Sequence, residues 1–185
     1  MHSKSLPMFI NQSLARAAAA VVLFAALSAL TARITIELPF TPVPITLQVL
    51  AVVLSGLVLG ARGGALAQIA YLSMIAIGLP FDARGLGPAA FFGPTAGYLI
   101  SYVPAAFVAG YLADRLSVRG WWGNFVAALA GVVVVYWVGA SWLALMLGSW
   151  SAAWTGGVAP FIGIDLIKAA IAAGVAESGR QWLRR

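Results

Sequence analysis

Asp165 and Lys168 lie one helical turn apart in GVAPFIGIDLIKAAIAAGVA, an otherwise apolar stretch near the end of the chain. A carboxylate and an ammonium at i and i+3 face the same side of a helix. Each charge costs roughly 2.5–3.5 kcal/mol at a bilayer centre on insertion scales, so such residues normally face a bundle interior or a water-filled cavity. Two uses are open to the pair. As an internal salt bridge it neutralises itself and holds its helix. As a binding site it suits a ligand with both N–H donors and a carboxylate, Asp165 accepting hydrogen bonds and Lys168 receiving the anion.

Two loop segments add polar groups. PFTPVPITLQ, residues 39–48, has three prolines in six positions, which hold the backbone extended. Thr41, Thr46 and Gln48 make it a rigid polar strip, either a plain connector or a preorganised wall of a site. GLPFDARGLGPAAFFGPTAGYL, residues 78–99, is rich in Gly and Pro. Arg84 can pair bidentately with a ligand carboxylate; its local alternative is Asp82, two residues away. GPTAGY opens the next apolar run, whose free N–H groups can accept an anion, and puts Tyr98 near the mouth of any cavity there. Gln68 and Tyr71, isolated in an apolar span, read first as interhelical hydrogen-bonding groups.

The elements that must position these groups are membrane helices. Of 185 residues, 62% are hydrophobic and 9% charged, with a mean hydropathy of +0.97; a soluble domain averages roughly 25% charged. A span needs about 20 apolar residues. Six segments are predicted, near 14–32, 43–61 with Pro44 in its first turn, 64–79, 94–113, 123–147 and 158–176. The chain reads as one all-α, polytopic membrane domain over 1–185. Residues 17–30 with SALTA after them look like a signal peptide, but five further apolar segments favour a retained first helix. With the N-terminus inside, Lys4, Arg16, Arg62, Arg115, Arg119, Arg180, Arg184 and Arg185 are all cytoplasmic, while only Arg33 and Arg84 are external. Both termini are therefore expected in the cytoplasm. Loops near 33–42, 80–93 and 148–157 then face outward, and Asp165 falls roughly 10–15 Å below the outer start of the sixth helix. Trp121 and Trp122 fit an inner aromatic belt; Trp150 and Trp154 fit the outer one or wall a ligand pocket.

Several functions are excluded or disfavoured. There is no cysteine, and the single histidine is His2, so thiol chemistry is absent and a metal centre or acid–base enzyme lacks its usual groups. No cofactor is expected. The net charge of +6 is loop bias in a membrane protein and no sign of nucleic-acid binding. No GxxxxGK[ST] occurs, so ATP hydrolysis would have to be a partner's. Gly56 and Gly60 form a GxxxG, read as packing within the chain. On the first helix Ala15, Ala18, Ala19, Val22, Ala25, Ala26 and Ala29 make a face of small residues, for internal packing or for another subunit. A stand-alone secondary carrier would show inverted repeats and broken helices; neither is evident in the sequence.

PFTPVPITLQ, LGARGGALAQIAYLSMIAIGLP, FGPTAGYL and PFIGIDLIKAA, in that order and spacing, resemble the BioY family of biotin-specific S components of energy-coupling factor (ECF) transporters. The resemblance covers about residues 14–178. It implies a six-helix S-component fold in the cell membrane and capture of biotin from the outer face. It also implies a transmembrane coupling subunit and two cytoplasmic ATPase subunits as partners. Asp165 and Lys168 match polar residues lining the family's biotin site, Arg84 falls where many members carry a basic residue, and Ala15 and Ala19 match the AxxxA docking surface. Tyr98 and Gln48 complete the candidate binding set. The family's usual GPTGGY is GPTAGY here, and the loop after GLP is less glycine-rich. An S component for another vitamin and a stand-alone biotin carrier are the alternatives.

Overall fold

The computed structural model describes residues 8–116, 118 and 120–182, with side chains described between 14 and 179. His2, Lys4, Arg119, Arg184, Arg185 and the Arg180 side chain lie outside the described residues. The helices are α1 (Met8–Ala32), α2 (Gln48–Ala76), α3 (Ala96–Arg115), α4 (Trp121–Leu147), α5 (Trp150–Gly157) and α6 (Ile162–Trp182). A short antiparallel ribbon, β1 (Thr35–Ile36) with β2 (Ile45–Thr46), and a 3₁₀ turn, Gly87–Phe92, occupy the two long loops.

By length and hydropathy α1, α3 and α4 are each apolar enough to cross a membrane, α2 passes the same test over its whole 29 residues, and α5 with α6 makes one further candidate span bent by 52°. The sixth comes from α2, which is a hairpin. Gly60 sits at φ 74, ψ 177, a conformation open essentially to glycine alone, and the helix reverses there. Across the fold, Gln48 hydrogen-bonds Tyr71 and Ser55 hydrogen-bonds Gln68. Gly60 is thus the turn between the second and third spans, and the expected GxxxG contact is replaced by another. Gly56 meets Gly64 in the other arm and the Ala106 backbone of α3, where a Cβ would lie 2.2 Å from a carbonyl oxygen.

Further boundaries depart from expectation, beginning with α1, which starts at Met8 and not near 14. The second span begins at Gln48 instead of 43, because residues 45–46 pair with 35–36 as ribbon and Pro44 precedes the helix. The third span ends at Ala76. The outer segment near 148–157, expected as a loop, is helix α5, capped by the Ser149 side chain accepting from the Ala152 N–H. α6 accordingly starts at Ile162, four residues later than expected.

α2 packs on α1, α3 and α6, and α4 packs on α3 and α6, which closes the bundle. α1 is peripheral: only 22% of its span is buried, against 44–56% for α2, α3 and α4. Its small face is divided. Ala25 and Ala29 are buried with Ser28, whose hydroxyl donates to Gln68, while Ala15, Ala18, Ala19, Val22 and Ala26 are exposed.

Candidate functional site

The bend between α5 and α6 brings Asp165 into the first turn of a helix, near its positive end. With α6 starting at Ile162, Asp165 lies three residues, roughly 4–5 Å of helix, from its start, and not the 10–15 Å that a start at 158 would supply. Asp165 and Lys168 are 3% and 4% exposed. Lys168 Nζ lies 2.6 Å from Asp165 Oδ1, and the Tyr136 hydroxyl of α4 donates to Asp165 Oδ2 at 2.7 Å. Both carboxylate oxygens are engaged, yet a carboxylate has about four acceptor sites. Lys168 spends one of three donors on Asp165, and no other described residue accepts from it. The pair thus presents spare acceptors beside spare donors.

Both groups open into one cavity, with about 60 Å³ available to the centres of water-sized molecules, several times the roughly 10–15 Å³ that one water needs. Gln48, Arg84 and Tyr98 line it as well, so all five expected binding residues meet there. Val49, Leu99, Val135 and Phe161 supply apolar wall. Tyr98 fits beside Gly139 and Gly157, where any Cβ would collide with its ring or hydroxyl, and it donates to the Gly157 carbonyl at 2.8 Å.

The Gln48 side chain is held from both ends. Its Nε2 donates to the Tyr71 hydroxyl at 2.6 Å, which in turn donates to the Phe81 carbonyl. Its Oε1 accepts from Thr46 at 3.3 Å and from Tyr102 at 3.4 Å. Tyr71 is fully buried behind the cavity. Gln68 ties α1 to α2 through Ser28 and Ser55, away from the cavity.

At the mouth, Arg84 pairs with Glu37 of the first loop, and not with Asp82. Its Nε donates to Oε1 at 3.0 Å and its Nη2 to Oε2 at 2.8 Å, with a further bond to the Pro42 carbonyl at 2.9 Å. The guanidinium holds the Glu37 carboxyl below the usual carboxylate range, chiefly by hydrogen bonding. Asp82 is buried and serves its own loop, accepting from the Arg84 and Gly87 N–H groups. The first loop is also anchored from below: Thr41 donates to the Gly156 carbonyl at 2.5 Å.

Trp150 and Trp154 do not wall this cavity. They line a separate apolar groove with Trp137, Ile162 and Leu166 on the outer face of α4 and α6. Tyr136 lines both hollows and separates them. Its role was missed in the sequence; the available signal was a lone hydroxyl in the apolar run GVVVVYWVGA, which needs a partner when buried. Tyr102, which also reaches Gln48, left the same faint sign in α3. Among the described residues no cluster of His, Cys, Asp or Glu could hold a metal ion.

Fold and site together define a multi-pass membrane protein with a small-molecule cavity reached past its extramembrane loops. The model of the BioY family matches residues 2–185, and the chain belongs to that family. It is 46% identical over 147 residues to the biotin transporter BioY of Rhizobium etli, covering 75% of this chain and 78% of that one. It is 41% identical over 158 residues to the probable biotin transporter BioY of Pyrococcus horikoshii, covering 85% and 91%. Among solved structures it resembles the S-component for biotin from an ECF-type ABC transporter, with a TM-score of 0.85 and 28% identity over 96% of this chain and 95% of that one.

Proposed function

We propose that this chain is the biotin-capturing S component of an ECF-type importer, binding from the outer face. The observation that carries the reading is the buried Asp165–Lys168 pair, which offers spare acceptors and donors side by side at the floor of the cavity. A ureido group has N–H donors beside a carbonyl acceptor and suits that pair; a thioether ring and methylene chain suit the apolar walls. The carboxylate then belongs at Arg84. Stripping Lys168 from Asp165 leaves a buried uncompensated charge, at a cost of about 3–5 kcal/mol. Releasing Arg84 from half-exposed Glu37 costs about 0–1 kcal/mol.

Partner subunits follow from the same reading: a transmembrane coupling subunit and two cytoplasmic ATPases, docked on the exposed Ala15–Ala19 face of α1, with both termini inside. Calorimetry of the purified chain with biotin tests the ligand. Asp165→Asn and Lys168→Ala are expected to lower affinity at least 100-fold, since each removes a charge-assisted contact and strands its partner. Unchanged affinity in both would remove the pair from the site. Ala19→Trp should abolish co-purification with the coupling module while leaving biotin affinity intact; full retention would count against that face.

The broken α5–α6 span favours a second reading, a carrier that works alone. Biotin uptake by cells expressing this chain without any coupling subunit would support it.

A further inference from the structure

Among the described residues lining the cavity only Arg84 and Lys168 are cationic, and Lys168 lies at the floor; Arg33 stands beside the loop that carries Arg84, donating to the Asp82 carbonyl at 3.4 Å. Three of the five Arg84 donors are already committed. Glu37 takes Nε and one Nη2 hydrogen, and the Pro42 carbonyl takes the other Nη2 hydrogen. A guanidinium grips a carboxylate bidentately through two neighbouring nitrogens. The Nε–Nη2 edge is occupied and the Nη1–Nη2 edge is half blocked, so no free two-point edge is left for a second carboxylate. Glu37 comes from a loop 47 residues away in sequence, and its side chain is 51% exposed, so on release its carboxylate returns to water.

We infer that Glu37 is a built-in stand-in for the ligand's carboxylate, and that capture of an acidic ligand exchanges one carboxylate for another on Arg84. This rests on the reading of the cavity as a biotin site. In the empty protein the exchange partner keeps Arg84 neutralised and the two outer loops joined. On capture, the ligand's anion takes the Nε–Nη2 edge and Glu37 turns outward. Glu37 then acts as a selectivity residue: a ligand without a negative charge has nothing to exchange and leaves the loops joined.

The test is calorimetry with biotin and with biotinamide, its neutral counterpart, on the wild type, Glu37→Gln and Glu37→Ala. Both substitutions sit at an exposed position and remove the competing charge. They should tighten biotin roughly two- to five-fold, the worth of an exposed pair, and leave biotinamide unchanged. In an Arg84→Ala background the gain should vanish. Weaker biotin binding, or an equal shift for both ligands, would make Glu37 a loop tether and overturn the exchange. No change for either ligand, with wild-type biotin binding intact, would overturn the exchange alone. Failure of the wild type to bind biotin would overturn the site reading and the exchange with it.

Discussion

The molecule holds two ion pairs around one cavity, and they differ in almost everything except chemistry. Asp165 and Lys168 are neighbours on one helix, and their side chains are about 5% exposed. Glu37 and Arg84 come from two loops, at 51% and 34% exposure. Buried, a pair is costly to form and costlier to break, because each partner supplies the opposite charge that water no longer screens. At the surface, either partner can be resolvated and the pair is worth little. The floor of the cavity is therefore a fixed reading head, and the mouth is an adjustable one.

That contrast is most sharply tested by removing the floor pair whole. Asp165→Leu with Lys168→Met should recover the thermal stability that either single charge removal loses, about 3–5 kcal/mol, while biotin binding stays lost. If the double variant is as unstable as the singles, the pair's burial does not dominate its energetics. A smaller effect is expected at the mouth. Arg84→Ala should weaken biotin about 10- to 100-fold, the range of a charged hydrogen bond, with melting temperature unchanged within error. A marked loss of stability there would erase the distinction between the two pairs. Smallest in affinity is Tyr71→Phe, behind the cavity. It orphans the Phe81 carbonyl and loosens the Gln48 amide. A loss of about 1–3 kcal/mol in stability with a few-fold loss in biotin affinity would mark it as a positioning residue; an affinity loss as large as that of Lys168→Ala would place Tyr71 with the floor pair.

Hydropathy alone locates most of the spans. The runs at 94–113 and 123–147 fall within two residues of α3 and α4, since no loop pairing intrudes on their ends and α3 accommodates Pro104 within it. It fails where backbone chemistry intervenes. Proline and ribbon pairing delay α2 to Gln48, and the apolar, Gly- and Ser-containing 148–157 segment becomes a helix once Ser149 caps it and Ala153 packs inward. The broken α5–α6 span was not legible for the same reason. Of the site, Asp165 and Lys168 were conspicuous because a charge in an apolar run is expensive. Glu37 was not, because a glutamate in a loop is ordinary until its partner, 47 residues on, is placed beside it. Tyr136 likewise becomes meaningful only when α4 meets α6.

The late start of the first α2 arm has a consequence for the membrane itself. From Gln48 to Gly60 the helix rises about 18 Å at 1.5 Å per residue, against a hydrocarbon core of about 30 Å, and any tilt shortens its reach further. With Gly60 turning at the inner surface, the extended strip before it, in which Val43, Pro44 and Thr46 are buried, would lie about 12 Å beneath the outer one, where only protein-enclosed backbone is tolerated. A ligand reaching Gln48 would then have passed more than a third of that thickness inside a protein-walled path, without meeting a lipid chain.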